Sequence, residues 1–482
     1  MKTEIAAPRT HLYEQVAEEV AQLIGQRILR AGDRVPSVRK LMAQKGVSRS
    51  TALQAFQLLE GRGLVEARPQ SGYYVKPQRE HLLPEPEHSH EPDPYDQIEL
   101  EGTAAKVAEV IVSFRHHPEY APFGVATPSP QILPNRALNR VLAATARQAG
   151  DAGNNYDFPP GHVELRRQIA LRAPDAGYQL AMDEIVTTFG CMESLNLALR
   201  ATCHPGDCVA IESPTYYGLL QALESLGLSA IEIPTHPQNG VDLLALESTL
   251  AKRKVAACLF STSYNNPLGS CMPEENRRAL VQDILAPRAI PLIEDEIYAD
   301  LHHGLARPKS CRAFDTEGLV LVCSSFSKCL APGYRVGWIV PGRFGQRVQL
   351  LKFMNTLATA THPQAAIADF MKSGAFDHHM RGLRKRMREQ VARVSEAVAE
   401  YFPAGTRVTR PAGGFVLWLE LPGNANALRL HQRALAEGIS IAPGPIFSAG
   451  QRYQNFIRLS CGYPWTTRLE HAMMTLGRLA RS

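Results

Sequence analysis

Ser324-Ser325-Phe326-Ser327-Lys328-Cys329-Leu330-Ala331-Pro332-Gly333-Tyr334-Arg335-Val336-Gly337-Trp338 decides how most of this 482-residue chain is read. The stretch follows the apolar run Gly318-Leu319-Val320-Leu321-Val322-Cys323, which has the composition of a buried strand. It sets one lysine among hydroxyls, with an arginine seven residues on. A lysine amine forms a Schiff base with a carbonyl, while an arginine fork and a serine hydroxyl hold phosphate oxygens, so the stretch suits an aldehyde cofactor that bears a phosphate. A lone SxxK pattern is weak, because most lysines are simply solvated; its neighbours must carry the argument.

Outward from this stretch the chain alternates short apolar runs with helical segments. DCVAIES, LSAIEIP, AACLFST, AIPLIED and GLVLVCSS read as strands. YGLLQALESLG, LLALESTLAKR and PEENRRALVQDIL carry apolar residues three and four apart and read as helices. This alternation predicts a mostly parallel sheet flanked by helices. From Arg381 the pattern changes to helices, a Gly-Gly turn, strand FVLWLEL, a helix and strand FIRLSC, which predicts a smaller α+β lobe. No Walker-type loop, HExxH or GxSxG occurs, which removes the commonest nucleotide, zinc-protease and hydrolase readings.

Four further segments stand in a fixed order around the lysine: Phe189-Gly190-Cys191-Met192, Glu212-Ser213-Pro214-Thr215-Tyr216, Asn265-Asn266-Pro267-Leu268-Gly269 and Ile293-Glu294-Asp295-Glu296-Ile297-Tyr298. Each alone has a dull explanation, such as a capping aspartate, a core tyrosine or a turn asparagine. Together they make residues from about 115 to 482 resemble the fold-type I enzymes of pyridoxal 5'-phosphate (PLP), the aminotransferase superfamily. The resemblance implies that Lys328 holds PLP as an internal aldimine and that Gly190, Cys191 and Met192 offer backbone amides to its phosphate at a helix start. It also implies that Tyr216 stacks on the pyridine, Asn266 and Tyr298 hydrogen-bond the phenolic oxygen, Asp295 pairs with the ring nitrogen, and Ser325 and Arg335 hold phosphate. Tyr156 matches a tyrosine that reaches the phosphate of a partner subunit, which implies a homodimer, and Arg458 matches the clamp for a substrate α-carboxylate. Cys191, Met192 and Leu268 depart from the usual polar residues, so side-chain hydrogen bonds to the phosphate are expected to be lost and turnover is in question.

The N-terminal sixth differs in charge. Through Arg79 there are 13 Lys and Arg against 7 Asp and Glu, and the rest of the chain has 39 against 40, so the whole basic excess sits at one end and points to a polyanion. Leu12, Val16, Val20, Leu23, Ile24 and Ile28 follow helical spacing and predict a first helix ending near Ala31-Gly32. Ser37 caps a second helix carrying Val38, Leu41 and Met42, Gly46 breaks it, and Ser48 caps a third with Ala52, Ala55, Phe56 and Leu59 inward. Two helices split by a glycine turn read as helix-turn-helix, which makes Ser48, Arg49, Ser50, Thr51 and Gln54 the candidate base readers. Residues 64–75 read as a two-stranded wing whose Arg68 reaches for phosphate. A protein-binding helical module is the alternative. GDRVPSVRKLMAQKGVSRSTALQAFQLLEGRGLVEARPQSGYYV, however, resembles the DNA-binding domain of the GntR family, which implies contacts to DNA by Arg39, Arg49 and Gly72.

The proline- and acid-rich stretch from Pro77 to about Ala105 is expected to be a flexible linker, with His88 and His90 solvated rather than metal-binding. Domains are therefore expected at 1–76, 77–105 and 106–482, the last with a large lobe over about 120–370 and a small lobe over about 371–482. The nine scattered cysteines, without a CxxC pair, are expected to be reduced thiols, and the absence of an export signal or long apolar run leads us to expect a cytoplasmic protein. Arg381, Arg384, Lys385, Arg386 and Arg388 are expected to form a solvated helix face. A GntR-type head on an aminotransferase-like body resembles the MocR subfamily of regulators. That resemblance implies a DNA-binding transcriptional regulator that senses an amino compound or PLP, works as a homodimer and binds double-stranded operator DNA. The alternative is an active aminotransferase with an appended DNA-binding domain.

Overall fold

The computed structural model describes residues 12–26, 28–30, 32–61, 64–68, 71–76, 83–86, 97, 98, 100, 102, 107, 117 and 119–481. His88 and His90 lie outside the described residues. The chain divides into two compact units, a head of Met1–Leu82 with His303–Ala306 and a body of Leu83–His302 with Arg307–Ser482.

In the head, helix Leu12–Gly25 buries Val16, Ala17, Val20 and Ile24. The apolar spacing carries this helix towards Ala31, but it stops at Gly25, a poor helix former, so Ile28 is 61% exposed and Leu29 packs on the core instead. Ser37 caps helix Val38–Lys45 by accepting from the Lys40 N–H at 3.2 Å, and Gly46 ends it in the left-handed region at φ 64°. Ser48 caps helix Arg49–Gly61 by accepting from the Thr51 N–H at 3.1 Å. Ala52, Ala55, Phe56 and Leu59 of that helix are fully buried, and Phe56 stacks on Tyr73 with ring centroids 4.4 Å apart. Tyr73 belongs to the wing, the antiparallel pair Val65–Arg68 and Gly72–Val75.

In the body the main sheet runs in the order Gln97–Ile98, Ser229–His236, Cys208–Ser213, Ala257–Phe260, Leu292–Asp295, Val320–Ser325, Gly337–Val340 and Val186–Thr188. The five strands expected from apolar runs form its parallel centre. Both Gly337–Val340 and Val186–Thr188 pair antiparallel, as does the short strand Gln97–Ile98 at the other edge. PEENRRALVQDIL starts as an α-helix, Glu274–Arg278, and widens into a π-helix, Ala279–Leu285. The small lobe is an antiparallel sheet ordered Arg407–Val408, Val416–Glu420, Phe456–Ser460 and Ala442–Pro443, packed with helices Ala375–Tyr401, Ala427–Ala436 and Thr467–Ala480.

The described parts of the linker are docked on the body. The Pro84 carbonyl accepts from the Val408 N–H at 2.9 Å, and Glu85 accepts from the Arg410 N–H at 2.9 Å. Leu100 is 4% exposed in the core that also holds Leu219 and Leu220. Isolated apolar and acidic residues within a proline-rich stretch suffice for such local docking, which composition averaged over the whole stretch conceals. Helix Ala375–Tyr401 leaves Arg381, Lys385 and Arg386 exposed as expected, while Arg384 is drawn in to donate from Nε to the Asp300 carbonyl at 2.7 Å. All nine cysteines are free thiols, seven buried and Cys208 and Cys271 partly so. Among the described residues, no helix is long and apolar enough to cross a membrane.

Candidate functional site

The turns after the parallel strands bring the expected residues together. Lys328 follows strand Val320–Ser325 and donates from Nζ to the Ala126 carbonyl at 2.5 Å. Burial first, then the nearby Arg458 cation, pulls the Lys328 amine down to about 8, so near neutral pH a usable fraction is the nucleophilic free base. Asp295 ends strand Leu292–Asp295 and is 5% exposed. Its carboxylate accepts from the Ile297 N–H at 3.1 Å and from the Cys191 thiol at 3.3 Å, and burial pushes it up to about 6. The Cys191 side chain is therefore directed to Asp295, and only its backbone is left to face an anion at the helix start.

That seat is the turn Phe189-Gly190-Cys191 and the start of helix Cys191–Thr202. The first amides of a helix have no carbonyl one turn back, and the helix dipole favours an anion there. Gly190 caps the helix at φ 88°, ψ 174°, where a side chain is strained, and a Cβ there would lie 2.6 Å from Arg335 Nη2. Arg335 donates to the Phe189 carbonyl at 3.0 Å and to the Ser327 hydroxyl at 3.2 Å. Ser327, not singled out from the sequence, is thus the hydroxyl beside the arginine fork. Ser325 accepts from the Ser327 N–H at 3.3 Å and orders the turn. Met192 is half-buried and packs against the neighbouring core.

Tyr216 caps helix Tyr217–Ser225 with its ring 4.6 Å from that of Tyr217, and Gly218 leaves the space that the ring folds into. Asn266 and Tyr298 are 6% and 5% exposed, with the Asn266 side chain close enough to the Tyr298 hydroxyl to act on it. Arg458, on strand Phe456–Ser460, is fully buried; Nη1 donates to Asn266 Oδ1 at 3.2 Å, Nη2 donates to the Gly124 carbonyl, and Nε is buried without a partner. Tyr156 stands apart, 67% exposed with its ring 5.5 Å from Phe158.

These residues fit a phosphorylated pyridine aldehyde. The glycine-lined turn beside Arg335 fits the phosphate, the buried Asp295 fits a ring nitrogen, and Lys328 with its depressed amine fits the aldehyde. Arg458 Nε, buried without a partner, leaves one donor for a further acceptor such as a carboxylate. Ala126, Gly124 and Phe189 act through backbone carbonyls, for which a sequence has no side-chain signal.

In the head, Ser48, Arg49, Ser50 and Gln54 are exposed and Thr51 partly so at the start of helix Arg49–Gly61; Arg39 is exposed on the preceding helix. Arg68 bonds Glu66 at 2.9 Å and lies 4.4 Å over the Tyr74 ring, so it is tethered within the wing. Gly72, at φ 104°, sits against the Arg34 guanidinium.

Residues 132–474 match the family Aminotransferase class I and II, and residues 12–75 match Bacterial regulatory proteins, gntR family. Over 467 residues the chain is 39% identical to the uncharacterized HTH-type transcriptional regulator YdcR of Escherichia coli (strain K12), covering 97% of this chain and 98% of that one. It is 36% identical over 472 residues to the uncharacterized HTH-type transcriptional regulator YjiR of the same organism, covering 96% and 98%. In structure it is similar to LysN, alpha-aminoadipate aminotransferase from Thermus thermophilus, solved complexed with N-(5'-phosphopyridoxyl)-L-leucine. The TM-score is 0.71 at 28% identity, over 78% of this chain and 94% of that one.

Proposed function

We propose, from the premise that this chain belongs to the aminotransferase class I and II family and, through its head, to the gntR family of bacterial regulators, that it is a MocR-type transcriptional regulator whose body holds PLP at Lys328 and whose head reads operator DNA. The cofactor is pyridoxal 5'-phosphate. When bound it supplies an aldehyde open to amines and a ring that withdraws electrons. The convergence of Lys328, Asp295, Asn266, Tyr298, Arg335 and Arg458 at one end of a parallel sheet carries this reading.

Each residue has a task in it. Lys328 would supply the amine for the aldehyde, and the Ala126 carbonyl holds that amine in place. Asp295 would accept from the protonated ring nitrogen, Asn266 and Tyr298 would hydrogen-bond the phenolic oxygen, and Tyr216 would stack on the ring. Ser325, Ser327, Arg335 and the amides of Gly190, Cys191 and Met192 would hold the phosphate. Arg458 orients an effector's carboxylate. An amino compound, or PLP itself, is the signal, and it shifts the regulator only as far as its affinities for two conformations differ.

Ser48, Arg49, Ser50, Thr51 and Gln54 enter the major groove, with Arg39 and the wing at Gly72 against the backbone. A homodimer working on DNA in the cytoplasm completes the proposal. Its support is an exposed apolar patch of Tyr156, Phe158, Leu350, Phe353 and Met354, with the Phe158 and Phe353 rings 6.0 Å apart, which suits coverage by a second copy.

The test compares the visible absorption of the wild type and Lys328→Ala with added PLP. A band in the wild type alone supports the reading, and an added amine that shifts the band and changes operator affinity supports sensing. No band in either protein would overturn it.

A further inference from the structure

Behind the phosphate seat lies an ion pair that the proposed chemistry does not use. Glu193 sits in the first turn of helix Cys191–Thr202, and Lys352 is one of the two buried residues of helix Gly345–Thr356. Their side chains are 9% and 1% exposed, and Lys352 Nζ donates to Glu193 at 2.8 Å. The same carboxylate accepts from the Thr356 hydroxyl at 2.7 Å and from the Phe189 N–H at 2.6 Å. Lys352 Nζ also lies 4.6 Å from the centre of the Phe189 ring. Phe189 is therefore held at both polar groups, its N–H by Glu193 and its carbonyl by Arg335 at 3.0 Å.

Two apolar residues would fill this space at lower desolvation cost, since a buried ion pair seldom gains net stability. What they could not supply is an acceptor for the Phe189 N–H. A carboxylate is a strong one, but in the first turn of this helix it occupies the positive end of the dipole and repels a phosphate bound there. A lysine beside it cancels that charge while leaving the acceptor in place.

We infer that Glu193 and Lys352 are a positioning pair that fixes the phosphate-binding turn through the Phe189 N–H while keeping the seat free of net negative charge. The inference rests on the reading of that turn as the phosphate seat of PLP. It makes a signed prediction. Lys352→Met leaves Glu193 uncompensated and weakens PLP by roughly tenfold or more, as one charge at close range in a partly buried site acts. Pyridoxal, which lacks the phosphate, loses far less. The double variant Glu193→Gln/Lys352→Met restores neutrality and keeps an amide oxygen for the Phe189 N–H, so its PLP affinity returns to within about threefold of the wild type, because no uncompensated charge remains.

The experiment titrates the full-length wild type, Lys352→Met and the double variant with PLP and with pyridoxal, following absorbance, beside a thermal melt of each. The ratio of PLP to pyridoxal affinity is the readout, because general loosening of the fold lowers both. A ratio that falls in the single variant and recovers in the double supports the pair. An unchanged ratio in the single variant overturns it. If the single variant does not fold, the double variant decides alone: a ratio near that of the wild type supports the pair, and a tenfold loss overturns it. A wild type with no Lys328-dependent band removes the functional reading and this inference together, whereas a wild-type band with an unchanged ratio in the variants removes the inference only.

Discussion

Gly190→Ala directly perturbs the turn proposed as the phosphate seat. The residue holds φ 88°, ψ 174°, a backbone region used almost only by glycine, so alanine there costs about 1–3 kcal/mol of strain. Its methyl group would also stand 2.6 Å from Arg335 Nη2 and 3.2 Å from Arg335 Cζ. Arg335 is exposed, so it can swing away, but it then gives up its bonds to Phe189 and Ser327. Exposure keeps that loss small, roughly 1–2 kcal/mol for the charge-assisted bonds together. Strain and lost bonds both weaken the cofactor-free fold, by about 2–5 kcal/mol together. Only the displaced guanidinium weakens the hold on phosphate, and roughly 1–2 kcal/mol there corresponds to about 5- to 30-fold in affinity. The assay pairs urea unfolding of the cofactor-free protein with a PLP titration. If the variant keeps its parent's PLP affinity within about twofold and its unfolding midpoint, both the backbone argument and the place of Arg335 in the seat are wrong.

Three further outcomes are expected. Burial holds the Lys328 amine near 8, below its ordinary 10.5, and the reactive form is the deprotonated one. The rate of cofactor capture in stopped flow should therefore rise with pH through about 8 and level off above it, whereas an unshifted lysine would still be climbing at pH 10. Arg49→Ala should weaken operator binding by about 1–3 kcal/mol with little change for unrelated DNA if it reads a base, or weaken both and flatten the salt dependence by about one unit if it meets phosphate. Fluorescence anisotropy at several salt concentrations separates these, and unaltered binding would move the reading face elsewhere. Phe56→Ala deletes a fully buried ring stacked on Tyr73 and should cost roughly 3–5 kcal/mol, which opens the head to trypsin while the body keeps its cofactor band. Equal resistance of the head in both proteins would contradict the packing.

Much of the fold is legible in the sequence. The central strands announced themselves as apolar runs because they are buried on both faces, and the caps at Ser37, Ser48 and Gly46 are local rules that need no tertiary context. The motifs around Lys328 were readable because each uses a side chain whose chemistry is specific. Strand Val186–Thr188 was not, being three residues long and held by Gly337–Val340, far away in sequence. The partners Ala126 for Lys328 and Gly124 for Arg458 are carbonyls, which every residue has. Glu193 and Lys352 are 159 residues apart, and nothing local to either foretells their pairing. The first helix ends earlier than its apolar stripe predicts, because the stripe continues past Gly25 while the helical backbone does not.

The distribution of sulfur and indole has a practical consequence. Every cysteine lies between Cys191 and Cys461, buried or partly so, with burial pushing each thiol upward; the three tryptophans, Trp338, Trp418 and Trp465, are in the same unit. The head has neither residue. Thiol labelling and indole emission are therefore two native reporters seated in one module, and the other carries neither. A variant that loses its grip on DNA with labelling rate and emission unchanged has failed in the head, and no engineered probe is needed to say so.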